Sequence, residues 1–428
     1  MSTISTQIAE RAKKYPNEPL TNLSQFIDSG MLHRNYEGMN KKSASGVDEQ
    51  TWHEYGEQRE ERIPELLTAF KSGSYRAPNI RRVYIPKGDG TERPLGLPTI
   101  EDKLLQSAVA EVLTPIYEQI FYDFSYGFRE GKSAHQAVDQ LFKEVSFNGK
   151  RYVIDADMKN YFGSIDHEYL REFLARRIND GVILKQIDKW LKAGILEEGE
   201  VTYPTEGTPQ GGVISPLLSN IYLHYVLDEW FTEVIQPLLR GGSCLIRFAD
   251  DFLICFNAKE DAERVMKVLP QRLGKYGLTL HPEKTRLVDL RGSSGGKGET
   301  CTFLGFTHYM GKSRKGKLVL KHKTSSKKFT LALKRMNEWL RKNRQQAVND
   351  LIGSLNPKVR GHYSYYGITF NSQALSDYRH AVARLLFKWV NRAGDRHSWN
   401  WTQFTRLIEE WTPLAKPRIY HSRCLAKP

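Results

Sequence analysis

Four acids stand where an acid is hard to accommodate. The run Tyr152-Val-Ile-Asp-Ala-Asp-Met158 reads as a β-strand, in which successive side chains alternate between faces. Asp155 and Asp157 then share a face with Val153, while Tyr152, Ile154 and Ala156 take the other. Carboxylates on an otherwise apolar strand destabilise it unless something neutralises them. Asp250 and Asp251 stand together at the turn of a second apolar segment, Leu245-Ile-Arg-Phe-Ala-Asp-Asp-Phe-Leu-Ile-Cys-Phe256. Adjacent carboxylates at a hairpin tip repel each other. A divalent cation removes that repulsion, and hard oxygen donors suit magnesium. Two such elements side by side could hold a pair of ions about 3.5–4 Å apart, the arrangement of phosphoryl-transfer sites. An ordinary Asp-rich turn beside a salt-bridged acid is the plainer alternative.

The elements that would position these acids can be traced along the chain. Arg81 to Pro86 is a strand, Lys87-Gly88-Asp89-Gly90 a turn, and Thr91 to Leu97 the return strand of a basic hairpin. After Tyr152–Met158 come a helix over His167–Arg177 and a longer apolar helix over Ile214–Trp230. Two strands over Ser243–Phe256, an amphipathic helix over Ala258–Tyr276 and an extended stretch over Leu278–Leu290 follow. That order suits an α+β layer, an antiparallel sheet with helices on one face. The segment from Arg291 to Gly298 is a glycine-rich loop between strands. Beyond Phe306 the chain turns helical. Phe329, Leu333, Met336 and Leu340 share a helix face, and Asn356-Pro357 reads as an N-cap followed by proline at the first helical position. Further helices are expected over Ser372–Arg392, ending before Gly394, and over Ser398–Trp411.

Composition narrows the partners. With 428 residues the chain is too long for one core. Its net charge of +14 points to a polyanion. Between Tyr309 and Gln345 stand thirteen Lys or Arg against one acid, Glu338, which favours phosphate contact over a merely solvated face. No apolar run approaches the roughly 20 residues that span a bilayer, and the N-terminus has no apolar signal core, so a cytoplasmic protein without membrane partners is expected. Cys244, Cys255, Cys301 and Cys424 form no CxxC pair, which argues against structural zinc. Cys244 and Cys255 read as buried thiols, and disulfides are not expected.

Several blocks, in order, resemble the reverse transcriptases of group II introns. Phe248-Ala-Asp-Asp251 resembles motif C, and Val83 to Gly96 the fingers hairpin. Phe124-Ser-Tyr-Gly-Phe-Arg129 resembles the next fingers block, Asp157-Met-Lys-Asn-Tyr-Phe162 motif A, and Gly207-Thr-Pro-Gln-Gly-Gly-Val-Ile-Ser-Pro216 motif B. Pro282-Glu-Lys-Thr285 resembles motif D and Phe303-Leu-Gly-Phe306 the primer grip. Arg360 to Gly367 and Lys416 to His421 resemble the thumb or maturase domain. Together they cover most of the chain.

The resemblance implies an RNA-directed DNA polymerase shaped as a right hand. Residues 1–150 would be an N-terminal extension and fingers, 151–306 a ferredoxin-like palm, and 307–428 a helical thumb. Asp157 and Asp250 would be the principal ligands of two Mg2+ ions, with Mn2+ as a substitute in vitro, and Asp251 auxiliary. The family's spacing favours Asp157 over Asp155, because Phe162 stands five residues after it. Phe162 would be the gate that rejects a ribose 2′-OH. The family usually has Asp after this aromatic, where this chain has Gly163. Lys87 and Arg93 would clamp the triphosphate, or be surface charges on a hairpin. Gln210 and Gly211 would line the nucleotide and template, or simply connect loop to helix. Lys284 would protonate pyrophosphate, or be a solvated lysine.

Along the basic run, Lys312, Arg314, Lys315, Lys327, Lys328 and Arg335 would contact nucleic acid. His362, Tyr363, Tyr365 and Tyr366 would stack on it or pack between helices. The implied partners are RNA template and primer, an RNA–DNA hybrid, dNTPs and structured intron RNA, bound by a monomer or dimer. The chain ends at Pro428 without a His-Asn-His nuclease or zinc-knuckle pattern. Other readings are a non-catalytic RNA-binding splicing cofactor, an RNA-dependent RNA polymerase, which Phe162 opposes, and an intron-like reverse transcriptase in defence or repair.

Overall fold

The computed structural model describes residues 3–86, 92–197, 199–208, 211–292, 298–313, 315–392 and 398–422. The predicted turn at Lys87–Gly90, most of the glycine-rich loop, Gln210, Arg314, Gly394 and Cys424 lie outside them. The fold mixes α-helices with several β-sheets. It divides into two compact units, each built from two stretches of chain: residues 1–137 with 156–287, and residues 138–155 with 288–428.

The first unit opens with the helices Thr3–Lys14, Ser29–Gly38, Trp52–Glu57 and Arg59–Ser72. Thr51 and Glu54 cap the third reciprocally, which fixes its start. The strands Ile80–Pro86 and Glu92–Leu97 pair antiparallel, from Arg81 opposite Leu97 to Pro86 opposite Glu92. The strand Ile195–Glu197 joins them in parallel, and Glu200–Thr202 completes a four-stranded sheet. Sequence reading missed both of these three-residue strands, which are too short to show alternation. It also missed the helix Gly181–Leu191, although Asp180 caps it through the amides of Val182 and Ile183.

At the centre lies the helix Ile100–Tyr117, buried nearly all round against Thr3–Lys14, Ser29–Gly38 and Ser215–Leu223. Its buried polar groups are answered: Asp102 by Tyr75 and Trp190, Lys103 by Ser43 and Ala44, Gln106 by the Val213 amide. The expected helix over Ile214–Trp230 is α-helical from Ser215 to Leu223 and continues as π-helical turns over His224–Asp228 and Trp230–Ile235. The helix Lys259–Lys275 agrees with expectation within a residue at each end.

In the second unit the chain does not turn helical directly after Phe306. Cys301–Phe303, Phe306–Lys312 and Leu318–Thr324 form an antiparallel sheet first. Within the basic run, Val319, Leu320 and His322 are buried, so apolar residues between the lysines are enough to support strands. The helices Ser326–Asn343, Val348–Tyr366, Ser372–Val390 and Trp401–Arg406 follow, the last running into a π-helical turn over Leu407–Trp411. Met336 and Leu340 join Leu351, Leu355, Val359, Leu386 and Phe404 in one core, with Phe329 and Leu333 packed against it.

The predicted N-cap at Asn356 is corrected: Pro357 lies inside Val348–Tyr366. Both Pro357 and Gly353, whose carbonyl loses its helical partner to the proline, are exposed, so water can take the orphaned acceptor. Asn356 instead ties down a later segment, donating to the Pro413 carbonyl and accepting from the Ala415 amide. Cys255 and Cys301 are buried, whereas Cys244 is only half-buried.

Candidate active site

Asp157 follows immediately on the strand Tyr152–Ala156, which is shorter than the sequence reading had it. Backbone contacts hold it beyond the strand end: Lys159 N–H donates to Thr279 O at 2.8 Å, and His281 N–H to Asp157 O at 2.7 Å. The strands Ser243–Phe248 and Asp251–Phe256 form a hairpin with Phe248 opposite Asp251, which leaves Ala249 and Asp250 as its turn. Ala249 adopts a left-handed φ of 57°, a strained choice for a residue with a Cβ.

A buried polar network maintains that turn. Arg247 is fully buried, and its guanidinium bonds both carboxylate oxygens of Asp228, at 2.8 and 2.5 Å. It also donates to Asn220 Oδ1, to Ser125 Oγ and, at 3.1 Å, to the Ala249 carbonyl of the turn itself. Asn220 in turn donates to Gly127 O at 2.7 Å. Gly127 lies so close to the turn that a Cβ there would meet Ala249 N at 2.3 Å. Sequence reading missed Arg247, Asp228, Asn220 and Ser125 as supports. One lone Arg inside an apolar strand was the available signal, since a buried charge needs a partner.

A cavity of about 950 Å³ gathers the candidates. Asp157, Asp250, Arg93, Phe162 and Lys284 line it, together with Phe128, Trp190, Thr208 and His281. Burial raises the carboxyl of Asp250 above its usual range, the neighbouring charge of Asp157 raises it further, and Arg93 and Arg247 oppose both. Lys284 Nζ stands 2.7 Å from Asp157 Oδ2. Asp251 is half-buried, and neither it nor Asp155, which belongs to the strand Tyr152–Ala156, lines the cavity. Gly211, at φ 117°, packs against Gly96 so closely that a Cβ would meet the Gly96 carbonyl at 2.4 Å. Lys87 and Gln210 lie outside the described residues.

The Phe162 turn is held from the other side. Thr208 N–H donates to Phe162 O and Gly207 N–H to Ile165 O, both at 2.7 Å, and the buried His167 ring bonds Gly207 O at 2.6 Å. At Gly163 a Cβ would press on the Asn160 side chain, and the Cβ position of Gly207 already lies 3.0 Å from Gly163 Cα.

As metal donors, Asp157 and Asp250 fit a hard divalent cation: two carboxylates in one cavity, with like charge strengthening the proton affinity of one. Among the described residues, no group of three or more His, Cys, Asp or Glu side chains is placed so that it could hold a metal ion.

In the second unit Lys312, Lys315, Lys327, Lys328 and Arg335 are exposed, and Arg314 lies outside the described residues. The aromatic cluster packs inward. Tyr363 is fully buried, His362 stacks on Tyr378 at 3.7 Å between centroids, and Tyr365 donates to Leu304 O. Among the described residues, no helix is long and apolar enough to cross a membrane.

Comparison with known proteins follows the same order along the chain. Residues 85–308 match the reverse transcriptase (RNA-dependent DNA polymerase) family. Residues 330–407 match the group II intron maturase-specific domain. The chain is 36% identical over 233 residues to the group II intron-encoded protein LtrA of Lactococcus lactis, covering 54% of this chain and 38% of that protein. It is 35% identical over 254 residues to protein YkfC of Escherichia coli, covering 52% and 66%. An uncharacterized 91 kDa protein in the cob intron of Schizosaccharomyces pombe is 26% identical over 398 residues, covering 75% and 47%. The chain thus spans well under half the length of the Lactococcus relative it matches.

Proposed function

Because the chain belongs to the reverse transcriptase (RNA-dependent DNA polymerase) family, we propose that it copies an RNA template into DNA and also binds a group II intron RNA as a maturase. The observation that carries this reading is the cavity in which Asp157 and Asp250 meet Arg93 and the Phe162 ring. In this reading residues 1–150 act as extension and fingers, 151–306 as palm and 307–428 as thumb.

Asp157 and Asp250 would hold two Mg2+ ions, with Asp251 as an auxiliary ligand. Those ions supply Lewis-acid activation of the primer 3′-hydroxyl and charge neutralisation at the triphosphate. The chain's own groups do the rest. Arg93, with Lys87, grips the triphosphate. Phe162, its carbonyl fixed by Thr208, sets a wall where a ribose 2′-OH would need room. Gln210 and Gly211 lie along nucleotide and template. As the 3′-oxygen, its proton passed to solvent, bonds the α-phosphorus and the α-phosphorus–oxygen bond to the β-phosphate breaks, Lys284 would leave Asp157 and give its proton to the departing pyrophosphate. The lysines of the second unit bind template, primer or intron phosphates.

The test is primer extension on an RNA template with magnesium, dNTPs against NTPs, for wild type and Asp250→Ala. Extension with dNTPs alone, absent in the variant, is expected. A folded wild-type protein that fails to extend would leave the non-catalytic RNA-binding cofactor as the better reading.

A further inference from the structure

Phe128 is out of place by every structural criterion except one. The residue is 59% exposed, so burial does little to hold it. Its backbone is left-handed, at φ 58°, a conformation that a bulky side chain resists. Both neighbours are pinned. Gly127 is pressed against the Ala249 turn and bonded by Asn220. Arg129 is buried, bonding Glu118 through two nitrogens and the carbonyls of Tyr122 and Ser125 through a third. The chain between these two anchors has to bulge, and the residue it pushes out lines the cavity that holds Asp157, Asp250 and Phe162. Strain maintained by surrounding bonds and spent on an exposed ring marks a contact with a ligand rather than with the fold.

We propose that Phe128 is a substrate-contacting residue whose ring stacks on a nucleobase inside this cavity. The inference rests on the polymerase reading of the site and adds to it a residue outside the acids, the gate and the triphosphate cations. A flat apolar ring has no donors or acceptors with which to read a base edge, so it contributes to all four bases, with only the modest differences of stacking strength between them. The base could belong to the incoming nucleotide or to the bound strand, and two measurements separate these sources.

Wild type, Phe128→Gly and Phe128→Tyr are compared in three assays: steady-state extension with each dNTP, primer–template affinity by fluorescence anisotropy, and thermal melting. Glycine adopts positive φ freely, so Phe128→Gly should melt no lower than wild type. It should nevertheless lose at least about fivefold in one binding quantity, with kcat within about twofold and Phe128→Tyr restoring the wild-type value. A rise in KM common to all four dNTPs assigns the stack to the incoming base. A weaker primer–template Kd with unchanged KM assigns it to the strand. Unchanged KM and Kd, or a fall in kcat and melting temperature that tyrosine does not restore, would overturn the proposal. If wild type extends nothing, the polymerase reading falls, and the affinity assay alone still decides whether Phe128 meets a base.

Discussion

Arg247 shows how much of a site can rest on a residue that never enters it. Its full burial against Asp228 means that removing one partner leaves an uncompensated charge in the interior. Arg247→Met should therefore cost about 3–5 kcal/mol of stability. The pair replacement Arg247→Met with Asp228→Leu should cost distinctly less than the sum of the singles in denaturant melts. Additive losses would mean that the two charges do not depend on each other. The acids stand out in sequence because two apolar segments each carry a pair of carboxylates. The arginine's partner was not legible: Asp228 lies in a π-helical turn nineteen positions upstream, a separation that no strand or helix period marks. Phe162 belongs to the same scale. Phe162→Val should admit NTPs in primer extension, and undiminished preference for dNTPs would place the discrimination elsewhere.

At the scale of elements, the Ile100–Tyr117 helix carries a pH dependence. Burial pushes the Asp102 carboxyl up to about 7, against hydrogen bonds from Trp190 and Tyr75 that favour its ionised form. In the unfolded chain the same group titrates near 3.9. Between these values the folded protein keeps a proton that the unfolded chain has lost, so stability declines as pH climbs from about 4 to 7 and is level above. Asp102→Asn keeps an oxygen for both donors and removes the titration. Its advantage over wild type in melts should widen across that window, by up to about 4 kcal/mol. A constant difference from pH 4 to 7 would show that Asp102 titrates normally.

Helix Val348–Tyr366 carries the other prediction at this scale. Pro357→Ala restores an amide to the Gly353 carbonyl and should stabilise by up to about 3 kcal/mol, read as a higher melting temperature. A lower one would mean that the proline shapes a bend the core needs. The strands of the two hairpins were legible because an apolar run and turn residues such as Lys87-Gly88-Asp89-Gly90 are local signals. Pro357 was misread because the local rule for Asn-Pro was overridden by apolar residues on the opposite face of a long helix.

For the whole molecule, the exposed basic face of the second unit should make nucleic-acid binding fall steeply with salt. Replacing Lys327, Lys328 and Arg335 by Ala should flatten the slope of log K against log salt by about 2 to 3, measured by anisotropy. An unchanged slope would remove these three from the interface. The charge run was plain in sequence. The assignment of Phe306–Lys312 and Leu318–Thr324 to a sheet was not, since lysines hide alternation that only burial reveals. The division into two units is likewise invisible to a reader moving along the chain, because contacts such as Leu320 N–H to Ser146 Oγ join segments far apart in sequence.

That interleaving has a consequence for the order of biosynthesis. Residues 138–155 leave the ribosome early, yet the rest of their unit begins only at 288. At translation rates of roughly 5–20 residues per second, this stretch waits on the order of 10 s for its partners. Leu141, Phe142 and Val145, fully or almost fully buried in the finished fold, stay uncovered by those partners for that time. Apolar surface left open for that time is the kind that aggregates unless a chaperone covers it. No single cut can release either unit as one continuous, independently folding piece.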